Sequence, residues 1–219
     1  MYKRQPLSRL EVENIKNYYN STPLLEKEAS KSNFIGLLKN ASIVHLSTHA
    51  GVQIKDNEPW ISFKDDKLKT YEFNQIKNNA DLIFLSACET NLGKIETGEG
   101  VMSLTRSFFY GGAQSIISTL WTIDDKSTTT IVNDFYKHLA DGKTKSTALR
   151  EAKLSYLSNS TLSEKSPYYW AAFTLLGNDT PLPNNKSNLI YYIIAFAVLG
   201  LIVFYLMRKK KSSTKVKTF

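Results

Sequence analysis

Cysteine is nearly absent from this 219-residue chain, which has only Cys88. A single cysteine excludes an internal disulfide, and no Cys/His cluster has zinc-site spacing. Histidine is scarce too, with three residues. There is no Gly-Lys-Ser/Thr phosphate loop, and Gly93, Gly98 and Gly100 do not follow the dinucleotide fingerprint. Nucleotide chemistry is therefore not expected. The globular part lacks a basic stripe interleaved with aromatics, which excludes a nucleic-acid groove. The start, Met1 to Leu7, has no apolar core and does not read as a secretory signal. Long apolar runs are absent except for one near the end.

What the chain does have is 42% hydrophobic residues and a formal charge of +8. That suffices for one domain with a sizeable core and an appendage. Much of the excess charge sits in the tail, at Arg208, Lys209, Lys210, Lys211, Lys215 and Lys217. The long apolar run, Leu189 to Met207, precedes it without a charged residue. At 1.5 Å per residue this run reaches roughly 28 Å as a helix, close to a bilayer's hydrocarbon thickness. Tyr191, Tyr192 and Tyr205 near its ends match interfacial belts. The expectation is a single transmembrane helix over 189–207. The competing reading is a buried helix of the soluble fold. The positive-inside rule places the basic tail in the cytoplasm and the preceding domain outside it. That topology needs an export signal upstream. Tail-anchored insertion with a cytoplasmic domain is the alternative.

Two short apolar runs organise the rest. Asp81 to Thr90 holds Leu82-Ile83-Phe84-Leu85, followed by Ser86-Ala87-Cys88-Glu89-Thr90. Ala41 to Gly51 has the same plan and ends Ser47-Thr48-His49-Ala50-Gly51. Both read as buried strands. In open parallel sheets, chemistry collects beyond the carboxyl ends of strands. As parallel neighbours, the runs would bring His49 and Cys88 out at one edge. A thiol is only a few per cent ionised at neutral pH and needs a base beside it, which a histidine supplies. The plain alternative is that Cys88 is a small buried hydrophobe. His45, inside its strand, is expected to pack or hydrogen-bond within the fold.

Other elements follow from periodicity. Ser8 to Glu11 reads as a capping box for a helix whose face is Val12, Ile15 and Tyr19. A short strand is expected around Pro23 to Leu25, then a helix capped by Ser32-Asn33 and running through Leu38. The chain thus opens αβαβ, in keeping with a parallel sheet. Residues 58–66 suggest a hairpin, with Trp60 packing against it or rimming the site. Tyr71 to Asn78 reads as a helix. Another runs through Val101, Leu104, Thr105 and Phe108 to Gly111-Gly112, and a third buried strand spans Ser115 to Leu120. Asp124-Asp125 closes that strand and precedes a helix facing Ile131, Phe135 and Leu139. A further helix carries Leu149, Ala152 and Tyr156. The last strand is Ala171 to Leu176.

The signature runs His45-Leu46-Ser47-Thr48-His49 and Leu85-Ser86-Ala87-Cys88-Glu89-Thr90 resemble two blocks of the CHAT domain. This caspase-like cysteine peptidase family is usually joined to tetratricopeptide repeats and is distantly similar to separase. Gly98 to Val101, Ser118 to Asp125 and Pro167 to Phe173 resemble its later blocks. Together the blocks cover most of residues 5–182. The resemblance implies an α/β fold with a caspase-like, open, mostly parallel sheet and helices on both faces. It implies His49 as base and Cys88 as nucleophile, with oxyanion-binding N–H groups near Ala50 and Cys88 and no metal or cofactor. The partners implied are a protein or peptide substrate and a tetratricopeptide-type or other regulatory segment, with the bilayer added by the apolar run. The family has glycine where this chain has Ala50 and Asn91. Asparagine tolerates left-handed backbone, and alanine does so less readily.

Asp124 and Asp125 carry two readings. One is helix capping. The other, by analogy with separase, is a carboxylate flooring the first specificity pocket, for which Glu89 and Glu99 are alternatives. The organisation expected is a CHAT domain over 1–182 lacking its first elements, a linker over 183–188, the membrane helix over 189–207 and a basic tail over 208–219. The function expected is a membrane-anchored cysteine endopeptidase under the control of partner modules. The rival is a catalytically silent interaction module of the same fold displayed at the membrane.

Overall fold

The structure is a computed structural model that describes residues 8–53, 58–86, 99–183 and 194–206. The chain divides into two compact units, Met1–Leu182 and Pro183–Phe219.

Among the described residues of the first unit, four strands form the central sheet: β1 (Ile43–Leu46), β5 (Leu82–Leu85), β6 (Ser115–Thr119) and β7 (Phe173–Gly177), in spatial order β1-β5-β6-β7. β1, β5 and β6 run parallel and β7 is antiparallel. A second, antiparallel sheet comprises β2 (Ala50–Gln53), β3 (Glu58–Ser62) and β4 (Lys67–Lys69). The helices are α1 (Ser8–Ile15), α2 (Lys31–Leu38), α3 (Thr70–Phe73), α4 (Glu99–Gly111), α5 (Asp125–Ala140) and α6 (Lys145–Asn159).

β5 shows why helices cover both faces. Its four residues are all buried, so neither face meets water. Leu82 and Phe84 pack toward Ile15 of α1, the apolar face of α5 (Ile131, Val132, Phe135, Tyr136) and Ala152 of α6. Ile83 and Leu85 pack the other way, with Phe34 and Leu38 of α2, Phe73 of α3, and Leu104 and Phe108 of α4. Ile61 and Leu68 of the small sheet join that second core. The expected mostly parallel sheet with helices on both faces is present among the described residues.

Three local expectations are corrected. Pro23 to Leu25 is not a strand. Leu25 O instead accepts from Glu28 N–H in a turn that holds Glu26 at a φ of 53°, and Leu24 packs onto the second core. Among the described residues, two helices therefore precede β1. α2 is capped by Ser30, whose hydroxyl accepts from Asn33 N–H, and not by Ser32-Asn33. α3 stops at Phe73 instead of reaching Asn78. Asn78 donates its N–H to Gly111 O at the end of α4, so a tertiary bond draws the chain out of the helix before it enters β5. The Ser8 side chain of the expected Ser8 to Glu11 capping box lies outside what is described, and the Glu11 carboxylate binds the hydroxyls of Ser47 and Ser86.

Beyond β7 the chain is latched. Lys145, only 1% exposed, donates from Nζ to Asn178 O at 3.1 Å and Thr180 O at 2.9 Å. Asp179 accepts from Ser146 N–H and Oγ, and Leu182 is buried.

In the second unit, residues 194–206 are helical. Among the described residues, no helix is long and apolar enough to cross a membrane. Residues 189–193 and 207 of the expected span lie outside the described residues.

Candidate active site

The two signature strands are adjacent and parallel, and their last paired residues are Leu46 and Leu85. Pairing extends one step further through Ser86 N–H to Leu46 O at 2.9 Å. Beyond β1 the chain turns sharply into the small sheet. Thr48 Oγ1 donates to Ser62 O at 2.7 Å, and Ser62 N–H donates to His49 O at 2.8 Å. These bonds fix the His49 backbone against the end of β3, and the ring is half-buried. Ala50 then opens β2 in extended conformation, paired with Ile61. Alanine is thus accommodated, and left-handed backbone is not required of it. The close approach falls one residue later. A Cβ on Gly51 would lie 2.7 Å from Cζ2 of Trp60, whose ring covers that glycine. Lys67 Nζ lies 3.8 Å from the centre of the same ring. Trp60 therefore packs within the small sheet.

At the ends of β1 and β5 lies a buried polar group that local sequence pattern does not reveal. Glu11 is 3% exposed in the first turn of α1, where the helix end favours negative charge. Its Oε1 accepts from Ser86 Oγ at 2.8 Å and lies 3.1 Å from His45 Nε2. Its Oε2 accepts from Ser47 Oγ at 3.0 Å. On the far side of the His45 ring, Nδ1 is 3.1 Å from the Tyr136 hydroxyl of α5. Burial, then Glu11 and Tyr19, hold the Tyr136 hydroxyl well above its usual range, so it stays protonated. His45 thus does the packing and bonding expected of it. Glu11 is one turn before Ile15 and two before Tyr19, on the same stripe that marked the buried face of α1, and that was the available signal.

The two aspartates separate. Asp124 is the exposed N-cap of α5, and its Oδ1 accepts from Lys126 N–H at 3.0 Å and Ser127 N–H at 3.3 Å. Asp125 is half-buried. Burial pushes its carboxyl upward, Asp124 and Glu11 add to this, and His49 pulls it back. Asp125 thus feels Asp124, Glu11 and His49, while the Asp124 side chain itself is occupied in capping the helix. Glu99 opens α4, but its side chain lies outside what is described. Cys88 and Glu89 also lie outside the described residues.

A family model described as the CHAT domain matches residues 1–178 of this chain. The chain belongs to the CHAT-domain family. It is also similar to tetratricopeptide repeat protein 28 of Mus musculus, with 27% identity over 207 residues covering 77% of this chain and 8% of the relative. The human protein of that name is 35% identical over 109 residues, covering 50% of this chain and 4% of the relative. This CHAT chain thus spans less than a tenth of the length of these curated relatives.

Proposed function

We propose that this CHAT domain is a cysteine endopeptidase of the caspase type, working through His49 and Cys88. The observation that carries the reading is the register of β1 on β5. Leu46 pairs with Leu85, and His49 and Cys88 each follow three residues later. Three residues of chain span at most about 10 Å, which keeps the reach between the two segments short. In the proposed reaction His49 takes the thiol proton of Cys88, and the thiolate sulfur attacks the peptide carbonyl. The C–N bond breaks as His49 delivers the proton to the leaving amine. Water then hydrolyses the thioester, regenerating the thiol and releasing the carboxyl product. Backbone N–H groups near Ala50 and Cys88 would hold the oxyanion, as such donors generally do.

For the first pocket, Asp125 is the better candidate of the two aspartates, since the Asp124 side chain is occupied as a cap. An ionised Asp125 favours a substrate Arg or Lys by a charge-assisted bond of roughly 1.5–3 kcal/mol. Glu99 and Glu89 are the remaining pocket candidates.

We further propose that the run 189–207 anchors the domain in a bilayer, with the tail from Arg208 on its cytoplasmic side and the domain extracytoplasmic. The alternative is a tail-anchored domain facing the cytoplasm. The support is the uncharged run and the lopsided basic charge after it. Tagging both ends and treating intact cells with protease tests this, and loss of the tail tag alone overturns it. The names of the relatives support a tetratricopeptide-type segment as the regulatory partner.

The rival reading is a silent interaction module, favoured by relatives that are named for their repeats and not for proteolysis. One experiment separates the two. Cys88 is the only thiol, so a peptidyl electrophile labels a single site. Rapid labelling that collapses in His49→Ala supports the peptidase. Equal, slow labelling of both proteins supports the silent module.

A further inference from the structure

Both strands that lead to the candidate site are followed by a serine, and one buried carboxylate takes both hydroxyls. Ser47 directly follows Leu46, and Ser86 directly follows Leu85, the last paired residues of β1 and β5. Glu11 reaches Ser47 Oγ at 3.0 Å and Ser86 Oγ at 2.8 Å, one hydroxyl on each oxygen. A buried carboxylate is costly unless its lone pairs are met. Here two hydroxyls meet them, with His45 Nε2 of β1 at 3.1 Å as a third neighbour. Apolar attachment of α1 to the sheet does not call for an acid, because Ile15, one turn later on the same face, supplies it.

We propose that Glu11 is a positioning residue. It clamps the outgoing ends of β1 and β5 at a fixed separation and so sets the distance between the segments that carry His49 and Cys88. The inference rests on the peptidase reading. The groups facing Glu11 are His45 of β1, Tyr136 of α5 beyond that ring, and Asp125 at the start of α5. The clamp itself is made by the two hydroxyls. Glutamine is an isostere that keeps both links. Its carbonyl oxygen accepts from Ser86, and its amide donates to the Ser47 oxygen, which can accept. Alanine keeps neither.

The test uses the full 219-residue chain. A peptidyl chloromethyl ketone with arginine at its first position captures Cys88. The maximal capture rate and the half-saturating concentration are measured for wild type, Glu11→Ala, Glu11→Gln and Ile15→Ala. Ile15→Ala is the control that loosens α1 without touching the clamp. Glu11→Ala is expected to lower the maximal rate about tenfold or more with unchanged half-saturation, as misplaced reacting groups do. Glu11→Gln and Ile15→Ala are expected to stay within about threefold of wild type. An equal loss in Ile15→Ala and Glu11→Ala, or a Glu11→Gln variant as slow as Glu11→Ala, overturns the clamp. If wild type and His49→Ala are captured equally, the peptidase reading fails instead. Amide exchange at Ser86, whose N–H bonds Leu46 O, then decides the clamp. Exchange about tenfold faster in Glu11→Ala than in Ile15→Ala supports it, and equal exchange overturns it.

Discussion

Replacing Asp124 by alanine and by asparagine distinguishes a helix cap from a pocket wall. Asp124 Oδ1 holds two of the N–H groups that the first turn of α5 leaves unpaired, those of Lys126 and Ser127. α5 matters beyond its own stability, because it carries Phe135 and Tyr136 into the core and opens with Asp125. Alanine removes the cap, at about 1 kcal/mol, and also the negative charge at the helix end, at about 0.5 kcal/mol. Asparagine keeps the accepting oxygen and loses only the charge. For a domain of this size, 1 kcal/mol moves the melting temperature by about 2–4 °C. Alanine should therefore lower it by about 3–6 °C and asparagine by about 1–2 °C. The smaller effect should shrink in high salt, which screens the helix dipole. Thermal melts followed by far-UV circular dichroism at two salt concentrations give these numbers. A peptide library run with both variants should show no change of preference at the first position. An asparagine variant as unstable as the alanine variant refutes the cap. A lost preference for Arg or Lys refutes the assignment of Asp124 to the helix alone.

Three further outcomes are expected. Asp125, raised above its ordinary 3.8 chiefly by burial and then by Asp124 and Glu11, binds its proton more tightly in the folded state. Its favourable contribution is therefore present below pH 3.8 and is lost as pH rises through its elevated value, so Asp125→Asn should stabilise the domain at pH 7 and not at pH 3 in urea titrations. Lys145→Met should cost about 1–3 kcal/mol, because Asn178 O and Thr180 O lose their buried donor; an unchanged urea midpoint counts against the latch. Gly51→Ala should cost about 1–3 kcal/mol by forcing the Trp60 ring aside, and the loss should vanish when Trp60 is also replaced by leucine.

The central strands β1, β5 and β6 were legible because their residues answer to one requirement. Leu82 to Leu85 must be apolar on both faces, and such a run fits little else than a central strand. The faces of α5 and α6 were legible through their 3.6-residue period. Glu11 was not, because Ser-x-x-Glu at a helix start satisfies a local rule while the actual partners lie 36 and 75 residues away. Tertiary bonds also overrode local pattern at Asn78, where Gly111 took the N–H that a longer α3 would have used. The doubled aspartate was ambiguous for a different reason. Two adjacent carboxylates are equivalent in sequence, and only the start of α5 makes one a cap and leaves the other half-buried within the electrostatic reach of His49.

The latch after β7 has a mechanical consequence. Any pull on the segment beyond Leu182 reaches the central sheet through residues 178–182. It meets the Lys145 ammonium and the Asp179–Ser146 pair before it meets the β6–β7 ladder. Load is thus passed to the first turn of α6 and through it to Ala148 and Ala152 in the core. Among the described residues β7 is an edge strand beyond β6, and without this fastening a pull from its end would peel it first. A tether attached here can be tugged without opening the sheet until the lysine lets go.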